Sequence, residues 1–122
     1  MQSKVYWLDM GMLPTYFGFT TSEAAYLKTV KSLGADNPYP FPRAGACMSY
    51  RNRKGKLVSI VLLNMKCRPS REQQAGLIAH ECAHAFQQIR RDIGEDNPSD
   101  EFEAYTIQYM VQFCLHHLWR KR

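Results

Sequence analysis

The sequence predicts an α+β fold: a strand, a helix, a β-hairpin and then two long helices, all within a single domain spanning 1–122. Three observations carry that order. Lys54-Gly55 sits between two β-prone arms, the pattern of a tight hairpin. Ser70-Arg71-Glu72-Gln73 has capping-box spacing ahead of a long helical pattern that stops at Gly94. A second helical pattern opens after Asn97-Pro98, with proline suited to the first helical position, and runs to about Trp119. A chain of 122 residues with 45% hydrophobic and 22% charged residues is long enough to bury one core and has the composition of a globular domain.

Taken in order, Lys4 to Asp9 is β-prone and reads as a first strand. Met10 to Phe19 mixes Gly11, Pro14 and Gly18 with Tyr16, Phe17 and Phe19, and reads as an irregular, aromatic-rich loop. Thr20-Thr21-Ser22-Glu23 has capping-box spacing and Gly34 marks a stop, so a helix is expected from about 21 to 33. Asn37 to Pro42 alternates proline and reads as an extended connector. Cys47 to Arg53 and Lys56 to Asn64 are the hairpin arms. The second arm is apolar on both faces apart from Ser59, which predicts a well-covered strand. There is no internal repeat and no low-complexity segment.

Composition narrows the function classes. The most apolar run, Leu57 to Leu63, is far too short to span a bilayer, so no membrane partner is expected. Asp9 and Pro14 interrupt the mildly hydrophobic N-terminus and no small-residue cleavage site follows, so the expected location is the cytoplasm. Cys47, Cys67, Cys82 and Cys114 are scattered without a CxxC pair, and read as reduced thiols that serve as buried small hydrophobes. The net charge of +5 gathers in Arg51-Asn52-Arg53-Lys54-Gly55-Lys56 and the Arg120-Lys121-Arg122 tail. A basic hairpin tip could touch nucleic acid or an acidic partner, but a solvated turn is the plainer reading, and nucleic acid is not the expected partner.

His80-Glu81-Cys82-Ala83-His84 carries the chemistry. On a helix, histidines at i and i+4 lie one turn apart on one face, so both imidazoles can reach one tetrahedral zinc ion. Glu81 sits about 100° round the helix from His80, placed to hydrogen-bond a water on that ion without ligating it. A pair of ordinary core histidines is the competing reading. The apolar stripe Ala75, Ile78, Ala79, Cys82, Ala85, Phe86, Ile89 and Ile93 argues against it, because His80, Glu81 and His84 fall on the opposite, polar side with Gln73, Gln87 and Gln88.

A catalytic zinc site needs a third protein ligand. Glu103 shares an inward arc with Ile107, Met110, Cys114 and Leu118, whereas Glu101 falls with Gln108 and Gln112 on an outward one, so Glu103 is the expected ligand. His116 and His117 lie about 20 Å further along the same helix and read as helix-terminal histidines. Asp100, one turn before Glu103, is a candidate to orient a metal-bound histidine. Tyr105 and Tyr109 have an outward bearing and are not expected at the site.

With its Asp-Glu-Phe-Glu-Ala-Tyr segment at 100–105, the HECAH motif resembles the gluzincins, and the Glu103-Ala104 pair is similar to the small ImmA/IrrE-type peptidases. The compact chain is also similar to small metallopeptidase-like proteins of phages and prophages, for which the compartment would be the bacterial host's cytoplasm. The resemblance covers roughly residues 70 to 118. It implies a minimal zincin-like fold, a small antiparallel sheet or hairpin packed with the active-site helix and a C-terminal ligand helix. It also implies zinc held by His80, His84 and Glu103, with Glu81 as the base, and it makes the strand at 57–63 the edge that pairs with extended substrate. The leading expectation is a zinc metallopeptidase acting on a protein or peptide. The alternatives are a catalytically silent zincin-fold protein that binds a host or phage protein and, less expected, a nucleic-acid-associated protein.

Overall fold

The structure, a computed structural model, describes residues 4–35 and 43–120. Its elements are β1 (Tyr6–Leu8), β2 (Thr15–Thr20), α1 (Glu23–Ser32), β3 (Gly45–Arg51), β4 (Leu57–Leu63), a single 3₁₀ turn over Met65–Cys67, α2 (Arg71–Asp92) and α3 (Asp100–Trp119). Among the described residues no helix is long and apolar enough to cross a membrane.

Strand β4 decides the architecture. Its side chains alternate between faces, as in any strand, yet all seven residues are buried. Leu57, Val61 and Leu63 join one core with Phe17 and Phe19 of β2, Ile78, Cys82, Ala85, Phe86 and Ile89 of α2, and Met110 and Cys114 of α3. Val58, Ile60 and Leu62 join a second, smaller core with Tyr26 and Val30 of α1. The strand therefore has helices on both sides: α2 and α3 on the inner face, α1 on the outer. Ser59 is the one polar residue of the strand, and its hydroxyl is paired with that of Ser49 at 3.0 Å, so its burial leaves no orphan group.

The sheet runs β1-β2-β4-β3. Strand β1 is antiparallel to β2, and β3 antiparallel to β4, but β2 and β4 are parallel, with Thr15 opposite Leu57 and Thr20 opposite Leu62. The sheet is thus mixed, not the small antiparallel one expected, because 15–20 is a strand where an irregular loop was expected. Gly18 and Pro14 hid it, and the outward positions hold Tyr16 and Gly18 in place of charged or polar residues, which removed the alternation that marks a half-exposed strand. A further correction concerns the edge: β4 is interior, and β3 is the edge strand beside α2.

Helix boundaries follow local chemistry. Ser22 caps α1 by accepting from the Ala25 amide. At the start of α2 the Ser70 hydroxyl accepts from the Gln73 amide at 3.1 Å and the Gln73 side chain accepts from the Ser70 amide at 2.8 Å, the reciprocal box expected. The cap of α3 is Ser99, not the Asn97-Pro98 pair, since its hydroxyl reaches the Phe102 amide while Pro98 stays outside the helix. Turn 52–56 is held by Asn52, whose Oδ1 accepts from the amides of Lys54 and Lys56. The proposed connector at 37–42 lies outside the described residues.

Replacing Ser70 by alanine removes the hydroxyl that accepts from the Gln73 amide, so Ser70→Ala should cost about 1 kcal/mol and lower the thermal midpoint by about 4 °C. Calorimetry of the two proteins checks this; an unchanged midpoint would show that the start of α2 does not depend on its cap.

Candidate metal centre

Helix α2 carries the site, and its rotation is set by what it buries. Ile78, Cys82, Ala85 and Ile89 are fully buried against the sheet and α3. At about 100° per residue, His80 then points nearly straight away from that stripe and His84 follows one turn later, so both imidazoles are exposed. Glu81 falls between the stripe and the histidines and is only 8% exposed. Here the structure corrects the expectation that Glu81 shares the solvent-facing polar side: it is tucked against edge strand β3. A Cβ at Gly45 would lie 3.6 Å from both Glu81 Cγ and Oε2, so the strand approaches the carboxylate at a position with no side chain of its own.

The donor atoms converge. His80 Nε2 and His84 Nε2 are 3.2 Å apart, with the rings close to perpendicular. Two imidazole nitrogens on one tetrahedral ion at metal–nitrogen distances of about 2.0–2.1 Å stand about 3.3–3.4 Å apart, so the pair needs almost no movement to hold such an ion. A carboxylate oxygen of Glu81 lies within 4.8 Å of both nitrogens. His84 Nδ1 is 3.0 Å from Gln87 Oε1. A carboxamide oxygen only accepts, so Nδ1 carries the proton and the lone pair of Nε2 is left facing His80. The donor set, two imidazoles and a carboxylate, suits a small divalent cation.

Among the described residues His80, Glu81 and His84 form the only cluster of three or more histidine, cysteine or acidic groups close enough to hold one ion. Glu103 and Asp100 are exposed on the first turn of α3 and do not belong to it. Phe102, between them in sequence with Glu101, packs edge-on against Phe86 of α2 at 5.7 Å, and so fixes that turn beside the segment that follows His84. The expected inward arc of α3 holds for Met110 and Cys114, which are buried, and for Ile107 and Leu118, which are half-buried, but not for Glu103, which is exposed like Glu101, Gln108 and Gln112 of the outward arc. His117 stacks on Tyr6 at 4.0 Å, and Tyr105 and Tyr109 point outward.

Cys47 lies on the inner side of β3 near Glu81. Burial, then the charge of Glu81 and the Cys82 thiol, pushes its pKa up to about 12. Cys114, 4.0 Å from Cys82, is likewise raised well above the ordinary thiol value, chiefly by burial. Both are neutral thiols at physiological pH, which agrees with their reading as buried small hydrophobes, whereas Cys67 departs from that reading because it is exposed on the 3₁₀ turn.

Sequence reasoning passed over two contributors. Gln87 was counted only as a polar-face residue, although i+3 from His84 is the spacing at which helical side chains meet. Gly45 carries no signal until the register of β3 on β4 is known. If the pair holds a divalent cation, Gln87→Ala should weaken its affinity about tenfold, the lower end of the effect of losing a partner that orients a ligand. A competition titration against a chelator, with His84→Ala as the reference for full ligand loss, reads this directly. Unchanged affinity would show that the Gln87 bond does not orient His84.

Comparison of the chain with protein-family models, with curated proteins and with solved structures found no match, so the chemistry assigned to the site rests on its own geometry.

Proposed function

We propose that the protein is a zinc-dependent peptidase that hydrolyses a peptide bond in a protein or peptide substrate. The observation that carries this reading is the convergence of His80 Nε2 and His84 Nε2, 3.2 Å apart, on a point within reach of a buried glutamate that is not needed as a ligand. A zinc ion held there would polarise the scissile carbonyl and lower the pKa of a water at its open position. Glu81 would take the proton of that water on a carboxylate oxygen and return it to the leaving amine. Its seat between α2 and β3 limits its rotation, and so keeps the proton acceptor on the metal side. Among the described residues no strand pairs with the outer side of β3, so its backbone groups are placed to bond an extended substrate next to Glu81.

Glu103 is the third ligand in this reading. It is supported by the anchoring of its turn through Phe102 and Phe86, and by the burial of Met110 and Cys114 on its own arc. Its carboxylate would have to move toward the histidine pair when the ion binds. Glu103→Ala should therefore lower zinc affinity by more than about tenfold while Glu101→Ala leaves it unchanged. Equal effects of the two substitutions in one titration would remove Glu103 from the site.

The test of the enzyme reading is Glu81→Gln. The amide cannot accept the water's proton, so peptide cleavage should fall by at least about a hundredfold, while zinc content and thermal midpoint stay near those of the parent. Undiminished function in a folded, zinc-loaded Glu81→Gln protein would end the peptidase reading and leave a zincin-like protein that binds its partner without cutting it.

A further inference from the structure

Among the described residues, the outer face of the sheet is only partly covered. Helix α1 packs over Val58, Ile60 and Leu62 of β4. Beyond it, the register fixes what β1 and β2 present on the same face. Tyr16 is opposite Val58 and therefore points to the α1 side. Gly18, two residues on, shares that side, and Trp7 faces Gly18 across the antiparallel pair. Trp7 is 46% exposed and Tyr16 51%, in a sheet whose other aromatics on these strands are buried. A Cβ at Gly18 would meet Val5 Cγ1 at 2.8 Å and the Trp7 ring at 3.0 Å, so the missing side chain lets both Val5 and the indole lie against β2. Trp7, Tyr16, Leu33, Val58 and Asn52 enclose an open groove of about 390 Å³.

Cations surround this aromatic floor. Asn52 belongs both to the groove and to the basic turn, where its side chain accepts from two backbone amides and holds Arg53, Lys54 and Lys56 in a fixed, exposed arrangement. Lys56 lines the adjoining hollow together with Tyr16. Lys31 stands, exposed, in the last turn of α1, two residues before Leu33 of the groove. Among the described residues the ion pairs are Arg51 with Asp92 and Lys66 with Glu23, so none of these four cations is neutralised by a carboxylate. Asp9 is the one acid of the adjoining hollow, and its Oδ1 accepts from the Gly11 amide.

We propose that this outer face of β1 and β2, with the turn at 52–56, binds single-stranded nucleic acid. Two flat, half-exposed side chains offer stacking surfaces to successive bases, and the uncompensated cations along the rim match a phosphate backbone. An apolar protein segment would fill the groove but would leave those charges unanswered. The platform lies across the sheet from α2, so it is separate from the metal centre and independent of the peptidase reading.

The experiment is equilibrium binding of a fluorescently labelled oligothymidylate of about twenty nucleotides, followed by anisotropy and by quenching of tryptophan emission. Affinity should fall about twentyfold between roughly 50 and 200 mM salt if three phosphates are contacted. Trp7→Leu and Tyr16→Leu should each weaken binding about fivefold or more, and Trp7→Leu should also abolish the quenching. The triple change of Arg53, Lys54 and Lys56 to glutamine should flatten the salt dependence, whereas Glu81→Gln should bind as the parent does. Thermal midpoints establish folding, and the two aromatic substitutions on separate strands guard against one of them failing to fold. The proposal is overturned by the absence of salt-dependent binding, or by binding that ignores both aromatic substitutions. It is equally overturned if polyglutamate competes as well as the oligonucleotide at equal charge, which would mark a general site for acidic chains.

Discussion

The packing of Ile78, Cys82, Ala85 and Ile89 against the sheet and α3 fixes the rotation of α2, and everything at the candidate metal centre follows from that rotation. A helix turns by about 100° per residue, so once the apolar stripe is buried no freedom is left to the residues between. His80 and His84 must face solvent, Cys82 must be buried, and Glu81 must lie on the shoulder between them, against whichever strand flanks the helix. That strand is β3. The constraint gives three neighbours three environments: an exposed imidazole, a confined carboxylate and a buried thiol.

Those environments were only partly legible in the sequence. The motif at 80–84, the capping box at Ser70, the hairpin about Lys54-Gly55 and the inward arc of α3 are all written in short-range spacing, and each depends on contacts within a few residues. What failed to show was long-range. Thr15 to Thr20 looks like a loop until its parallel pairing with β4 is known, and Gly18 reads as a breaker until Val5 and the Trp7 ring are seen to lie over it. Glu81 looks like a surface acid until β3 is seen to lie over it. Ser99 was overlooked as a cap because the neighbouring proline gave a stronger local signal.

The sheet separates two chemistries. Its inner face, with α2 and α3, holds the larger core and the histidine pair. Its outer face is divided between α1, which buries Tyr26 and Val30, and the bare aromatic floor of β1 and β2. Tyr26 and Tyr50 are joined through their hydroxyls, which ties α1 to β3, and Arg51 is paired with Asp92 at 2.6 Å, which ties the same strand to the end of α2. Edge strand β3 is therefore held from both layers, an unusual degree of restraint for an outermost strand, and one that suits a strand lying along a site.

The Ser49–Ser59 hydroxyl pair has a consequence for that site. Strand β4 is otherwise apolar, and an apolar strand accepts a neighbour in more than one alignment with little penalty. Sliding β3 by one residue would separate the two hydroxyls and strand Ser59 among aliphatic side chains, at a cost of about 1–3 kcal/mol. The same slip would carry the start of β3 out of step with Glu81, which now lies against Gly45. Two small hydroxyls thus act as an alignment pin, and what they hold in step is the seat of a carboxylate about 13 Å further along the strand.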